Sequence, residues 1–182
     1  MKDAIVRRQN ENGEEYFVNQ GNTVQKGAEV LLESKNFKIN NPVLNGVKFR
    51  FSGSFYNFKF ENCRQNDVSF SRNDLTGVPA TTINSLLNFM FFKKLGVDYS
   101  HYYTSRIPLN DANSVWSDAS FVGNIQFRYP LLFDKTQVNM LFQIQNLYNT
   151  EYVLGYDINA FGNRFYNPAA KRTFNFGVNF IF

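Results

Sequence analysis

Apolar and polar residues alternate over long stretches of this chain. In 119–129, Phe121, Gly123, Ile125, Phe127 and Tyr129 share one face, while Ser120, Asn124, Gln126 and Arg128 share the other, with Val122 the exception. In 136–147, Val138, Met140, Phe142 and Ile144 oppose Asn139, Gln143 and Gln145. In 78–92, Ile83, Leu87, Phe89 and Phe91 oppose Asn84 and Asn88. In 47–61, Val47, Phe49, Phe51 and Phe55 oppose Lys48, Arg50, Ser52 and Ser54, and the apolar row then slips to Tyr56, Phe58 and Phe60. That slip predicts a β-bulge near Phe55–Tyr56. The last stretch carries Phe174, Phe176, Val178, Phe180 and Phe182 on one face, with Asn175, Gly177 and Asn179 on the other.

The pattern predicts strands at roughly 3–9, 22–34, 47–61, 78–92, 96–106, 119–129, 136–147 and 172–182. Ordinary globular strands run about 5–6 residues. A strand tilted across a bilayer needs about 9–11, and most of these are at least that long. The intervals between strands also have a parity. Counting back from Phe182, the odd ones are long (148–171, 107–118, 62–77, 10–21) and the even ones short (130–135, 93–95), with 35–46 the exception. Membrane barrels pair long outer loops with short periplasmic turns. This order predicts Phe182 at the periplasmic edge and 148–171 as an outer loop.

Composition strengthens the β reading. Of 182 residues, 18% are aromatic, with 21 Phe and 10 Tyr, and aromatics favour strands. Charged residues are 19% and apolar residues 43%, so the chain is not of disordered composition. The polar faces carry mostly Asn, Gln, Ser and Thr, which suits a wet lumen, and aromatics gather at strand ends as girdles would. The fold predicted is an all-β, antiparallel transmembrane β-barrel of about eight strands. A soluble β-sandwich or small ligand-binding barrel, apolar side inward, is the alternative.

Charge and chemistry narrow the function. The net charge of +4 is scattered rather than clustered, which argues against a nucleic-acid partner. One Cys (Cys63) and one His (His101) leave no disulfide and no multi-cysteine or histidine metal site. His101 stands near Asp98 and Ser100, but on a strand those two share a face and His101 points to the other. No enzymatic activity and no cofactor are expected; a barrel acyltransferase is the enzymatic alternative. The start, 1–15, has no apolar signal core, and no apolar run is long enough for a transmembrane helix.

Several segments resemble TonB-dependent outer-membrane receptors of the siderophore-receptor kind. Ile144–Tyr152, "IQNLYNTEY", is similar to the Asn-Leu-Phe-Asp-x-x-Tyr signature at the end of the penultimate strand, with Tyr148 and Asn149 where Phe and Asp are usual. Tyr166–Phe182, "YNPAAKRTFNFGVNFIF", is similar to the Pro-and-Arg lead-in to the last strand. Thr23–Ser34 is similar to the Gly-x-Glu strand, and Leu75–Phe89 to the Val-Pro strand start. The resemblance covers 23–182 in order and spacing.

It implies that 1–182 is the C-terminal segment of a larger barrel of about 22 strands, with the plug domain absent from this segment. It implies TonB-dependent uptake of a scarce ligand, a ferric siderophore being the expected one, in the outer membrane of a Gram-negative bacterium. Implied partners are outer-membrane lipid, the siderophore, the TonB system through the plug, and the barrel assembly machinery. The last would read Phe174, Phe176, Val178, Phe180 and Phe182 as its signal. In a complete barrel 172–182 pairs with the first strand; here it is expected to pair with 3–9 or stay open. A stand-alone eight-stranded outer-membrane barrel with a structural or adhesive role is a further alternative.

Candidate ligand contacts lie in the long loops. Aromatic and Arg residues are enriched in binding surfaces. Tyr152, Tyr156, Asp157, Phe161, Arg164 and Tyr166 lie in 148–171, and Trp116 lies in 107–118. Arg64 and Arg72 in 62–77 are candidates to attract an anionic ferric siderophore. Glu29 and Glu33 are expected to face the lumen, and Arg172 to stand at the outer membrane interface.

Overall fold

The computed structural model describes residues 5–9, 12, 14–19, 21–65 and 68–182. The strands are β1 Ile5–Gln9, β2 Glu15–Asn19, β3 Asn22–Glu33, β4 Phe37–Lys38, β5 Leu44–Asn62, β6 Arg64–Gln65 and β7 Val68–Ser69. They continue as β8 Thr81–Phe91, β9 Leu95–Thr104, β10 Ser120–Phe133, β11 Thr136–Gln145, β12 Val153–Tyr156, β13 Tyr166–Pro168 and β14 Thr173–Ile181. The chain is all-β: among the described residues the single helical element is one 3-10 turn, Phe161–Asn163.

The main sheet runs β14-β11-β10-β9-β8-β5-β3, antiparallel throughout, with β4 also paired to β5. Each long strand expected from alternation is present in this sheet. The sheet is open: β3 and β14 are its edges. The expected strand 3–9 does not join it. Its described part, β1, pairs with β2 from Ile5↔Asn19 to Gln9↔Glu15, and residues 3 and 4 lie outside the described residues. The interval 10–21, read as a loop, therefore holds a strand. A near neighbour in sequence needs little loop closure to pair, and β2 supplies one.

Short turns join strands at one end. Phe92 (φ 50) and Lys93 (φ 59) are left-handed at both central positions, and the Lys94 amide donates to the Phe91 carbonyl at 3.0 Å, as in a type I′ hairpin. Asp134 (φ 44) turns β10 into β11. The expected exception, 35–46, falls on the ten-residue interval 34–43 between β3 and β5, which lies at this same end: the Phe92 amide donates to the Val43 carbonyl. Pro130 does not end β10, which continues to Phe133 opposite Thr136. The ladder with β9 stops at Arg128↔Gly96, so the proline stands where that side needs no donor.

The predicted bulge near Phe55–Tyr56 is absent. Register with β3 is continuous through Phe55↔Ala28, Tyr56↔Gly27 and Phe58↔Gln25; the irregularities lie at Asn22/Thr23 and Leu44/Gly46. The apolar row changes face because the cover changes. Beyond Thr81 the partner of β5 is the loop itself: Tyr56 donates to the Ala80 carbonyl, and Leu75 to the Phe58 carbonyl. Phe60, on the same face as Tyr56 and Phe58, is buried.

One face of the main sheet is apolar and uncovered. Phe142 stands beside Phe176 and Phe127, and Ile144 beside Phe174 and Ile125, so the row is continuous across strands. Phe174 (64%), Phe176 (65%) and Phe180 (56%) are exposed. Soluble monomers rarely expose so extended an apolar patch. The opposite face is polar, and Asp98 anchors it. Arg128 donates to both its oxygens at 2.9 Å, and Asn88 to one at 2.6 Å. Gly96 leaves room for that reach, because a Cβ there would meet the Arg128 guanidinium at 3.3 Å.

Candidate functional site

Three long loops, whose described residues are 63–65 with 68–80, 105–119 and 146–172, lie at the other end of the sheet and form one cap. It holds the enclosed apolar cluster of Ile107, Leu109 and Phe165, with Val115, Tyr156 and Ala160 packed on it. Asp111, 3% exposed, ties the loops together. Its carboxylate accepts from the Thr76 hydroxyl and from Asn159 Nδ2, its amide donates to Asn159 Oδ1 at 3.1 Å, and its carbonyl accepts from Asn73 Nδ2 at 2.7 Å. Asn113 and Asp74 exchange a second pair of bonds between the first two loops. A loop otherwise strands its backbone groups in water; here Asn and Asp side chains take them up.

The "QNLYNTEY" segment has a structural role that its pattern alone did not reveal. Asn146 (φ 51, 1% exposed) donates from Nδ2 to the Thr150 carbonyl at 2.8 Å and accepts the Thr150 amide at 2.9 Å. Asn is the side chain that both tolerates a left-handed backbone and can bridge in both directions. Arg172 closes the turn from outside, donating from Nη2 to the Leu147 carbonyl at 2.6 Å and from its amide to Asn149 Oδ1 at 3.1 Å. Lys171 and Glu151 add an ion pair of 2.7 Å, and the Lys171 ammonium holds the Glu151 carboxyl below its ordinary pKa.

Within 146–172, β12 and β13 make a small hairpin that sets Tyr156 opposite Tyr166. Their rings meet edge to face, with centroids 5.9 Å apart. With Tyr152 they line a depression of about 300 Å³, rimmed by Asp118, Glu151 and Lys171. The structure thus brings together Tyr152, Tyr156 and Tyr166.

The other candidates lie elsewhere. Asp157 and Arg164 are exposed and do not line the depression. Trp116 packs with Arg106, whose guanidinium lies 5.5 Å from the ring centroid, and its Nε1 donates to the Asn113 carbonyl. Arg64 is exposed on β6, and Arg72 borders a separate depression of about 320 Å³ with Lys26 and Lys59. A larger recess, about 570 Å³, lies at the turn end between Lys94, Arg128 and Asn179, and none of the predicted contacts reaches it. No group of three or more His, Cys, Asp or Glu able to hold a metal occurs among the described residues. Phe174, Phe176, Val178 and Phe180 share the exposed apolar face of β14, and Phe182 is exposed just beyond its end. Glu33 pairs with Lys48 at 2.6 Å on the polar face.

No family profile and no curated protein sequence matches the chain. Solved structures do. The siderophore receptor PiuA from Acinetobacter baumannii superposes with a TM-score of 0.68 at 17% identity, over 94% of this chain and 23% of that one. BauA, the ferric preacinetobactin receptor from Acinetobacter baumannii, superposes with a TM-score of 0.66 at 14% identity, over 96% of this chain and 25% of that one. The chain thus spans about a quarter of the length of the structures it matches, and its fold is that of a segment of these two receptor structures.

Proposed function

We propose that this chain is the C-terminal wall of an outer-membrane receptor that imports a ferric siderophore with energy delivered through TonB. The observation that carries the reading is the two-faced sheet. An uncovered apolar face of barrel-strand length, backed by a polar face with a fixed ion pair, suits a wall between lipid and water. The likeness to two siderophore receptors supports the ligand class. In this orientation the turn end is periplasmic and the cap is outside. The barrel assembly machinery would recognise the β14 row that ends at Phe182, and Tyr152, Tyr156 and Tyr166 would meet the ligand. The energy-coupling parts belong to the remainder of the receptor.

The test is uptake of radioactive iron, offered as catecholate and hydroxamate chelates, by cells making the full-length protein. Uptake of at least one chelate that stops when TonB is deleted is the expected result. Absence from the outer-membrane fraction, or uptake indifferent to TonB, overturns the proposal. Tyr166→Ala should weaken chelate binding roughly tenfold, while Asp157→Asn, outside the depression, should leave it unchanged.

A further inference from the structure

The charge around the tyrosine depression has the wrong sign for an anionic chelate. Arg64, Arg72 and Arg164, the cations expected to draw one, all lie outside its lining. Its charged residues are Asp118, Glu151 and Lys171. Lys171 is engaged by Glu151 at 2.7 Å. Among the described residues Asp118 has no cationic partner within ion-pair distance. One carboxylate beside the rings is therefore left uncompensated.

The walls are held in place before any ligand arrives. Tyr156 packs on the enclosed cluster of Ile107, Leu109 and Phe165. Tyr166 meets Tyr156 edge to face, and it meets the Phe165 ring at 87° with centroids 6.4 Å apart. Asp118 comes from the neighbouring loop, and the buried Ser117 fixes the backbone there. The Ser117 hydroxyl donates to the Asp118 carbonyl at 3.1 Å and accepts from the Ile107 amide at 2.9 Å. Walls already ordered lose less freedom on binding.

Ring faces carry the negative part of the aromatic quadrupole and attract a cation within about 6 Å; ammonium ligands are held by such aromatic cages. A carboxylate at the rim adds a charge-assisted hydrogen bond to the same group. A polyanion gains neither and is repelled by Asp118. A volume of about 300 Å³ is at the small end for a ligand pocket, so it suits one arm of a chelate rather than the whole complex.

We propose that this depression binds a pendant ammonium arm, so that the receptor selects ferric hydroxamates carrying such an arm over trianionic tris-catecholates. The inference rests on the uptake reading above and narrows its ligand. Asp118 and the faces of Tyr152, Tyr156 and Tyr166 are its specificity-determining groups.

The test is isothermal titration of the full-length protein, purified in detergent, with two chelates that differ in one charge. Ferrioxamine B bears a free ammonium, and its N-acetyl derivative does not. Ferrioxamine B is expected to bind about tenfold more tightly. Tyr166→Leu and Asp118→Asn should each shrink that gap about threefold, and Tyr166→Phe, which keeps the ring face, should preserve it. Equal affinity for the two chelates, an unchanged gap in the double variant D118N/Y166L, or tighter binding of ferric enterobactin than of ferrioxamine B overturns the ammonium site and leaves the uptake reading standing. Loss of the uptake reading has a separate signature, the absence of any TonB-dependent iron accumulation, and it takes this inference with it.

Discussion

Gly123 is small because Tyr148 lies on it. A Cβ at Gly123 would stand 2.6 Å from Tyr148 Cε2. That ring also contacts Phe121 at 5.3 Å and shares a hydroxyl–hydroxyl bond with Tyr99, so moving it aside gives up both contacts. Gly123→Ala should cost about 1–3 kcal/mol, read as a lower unfolding temperature by heat-modifiable gel mobility. Gly155→Ala, with nothing within 4 Å of its added Cβ, should leave that temperature within error. Asn146 makes a second single-residue case. Asn146→Ala removes both bonds to Thr150, leaves part-buried backbone groups unpaired and puts at φ 51 a residue that tolerates the left-handed region less well than Asn, so a loss of about 2 kcal/mol is expected by the same assay. The residue type was legible in "QNLYNTEY"; its two-way bridge was not, because the bridge depends on a turn that no single position encodes. His101 behaves as strand geometry requires, on the face opposite Asp98 and packed 3.9 Å from the Phe121 ring.

At the scale of elements, β5 is the instructive strand. Its apolar row changes face at Tyr56 without any extra residue, because the cap covers the polar face there and leaves the other open. A shift of phase in a sequence can mean a bulge or a change of cover, and the local pattern is the same for both. The loop 146–172 was legible as long and aromatic, yet its hairpin pairs Tyr156 with Tyr166 while leaving Arg164 outside. Its outer clasp is electrostatic. Glu151 is held below its ordinary pKa by Lys171, so the contribution of the pair is present above the unfolded carboxyl value and fades as pH falls through the lower folded one. Both side chains are well exposed, which keeps the effect small. Protease cleavage within 146–172 should rise on acidification below about pH 4, and Glu151→Gln should cleave at the acid rate at pH 7. Equal pH dependence in the variant would assign the acid effect to other groups.

Among the described residues, the main sheet carries a cap of loops and no second layer behind its apolar face. Its enclosed apolar cluster, Ile107, Leu109 and Phe165, lies among the loops, while Phe60, Val97 and Val122 are buried singly on the strands. In the membrane orientation proposed above, lipid covers that apolar face. Phe176→Arg, in the middle of the exposed row of β14, should destabilise the inserted protein by roughly 2–4 kcal/mol, while Asn179→Arg on the polar face should be tolerated. Urea unfolding in lipid vesicles measures both, and equal losses would contradict the assignment of faces. The open edges at β3 and β14 fit a segment that matches only about a quarter of each receptor structure.

By itself the sequence determined the long strands of the main sheet, their two faces and most of the alternation of long loops with short turns. These are local properties: a period of two needs no distant partner to be read. The tertiary structure decided what depends on distant partners. It paired β1 with β2 rather than with the last strand, and it tied three loops through Asp111. It also gathered three tyrosines while sending Arg72 to Lys26 and Lys59. Such meetings depend on register and on inter-loop hydrogen bonds, which no window of neighbouring residues contains.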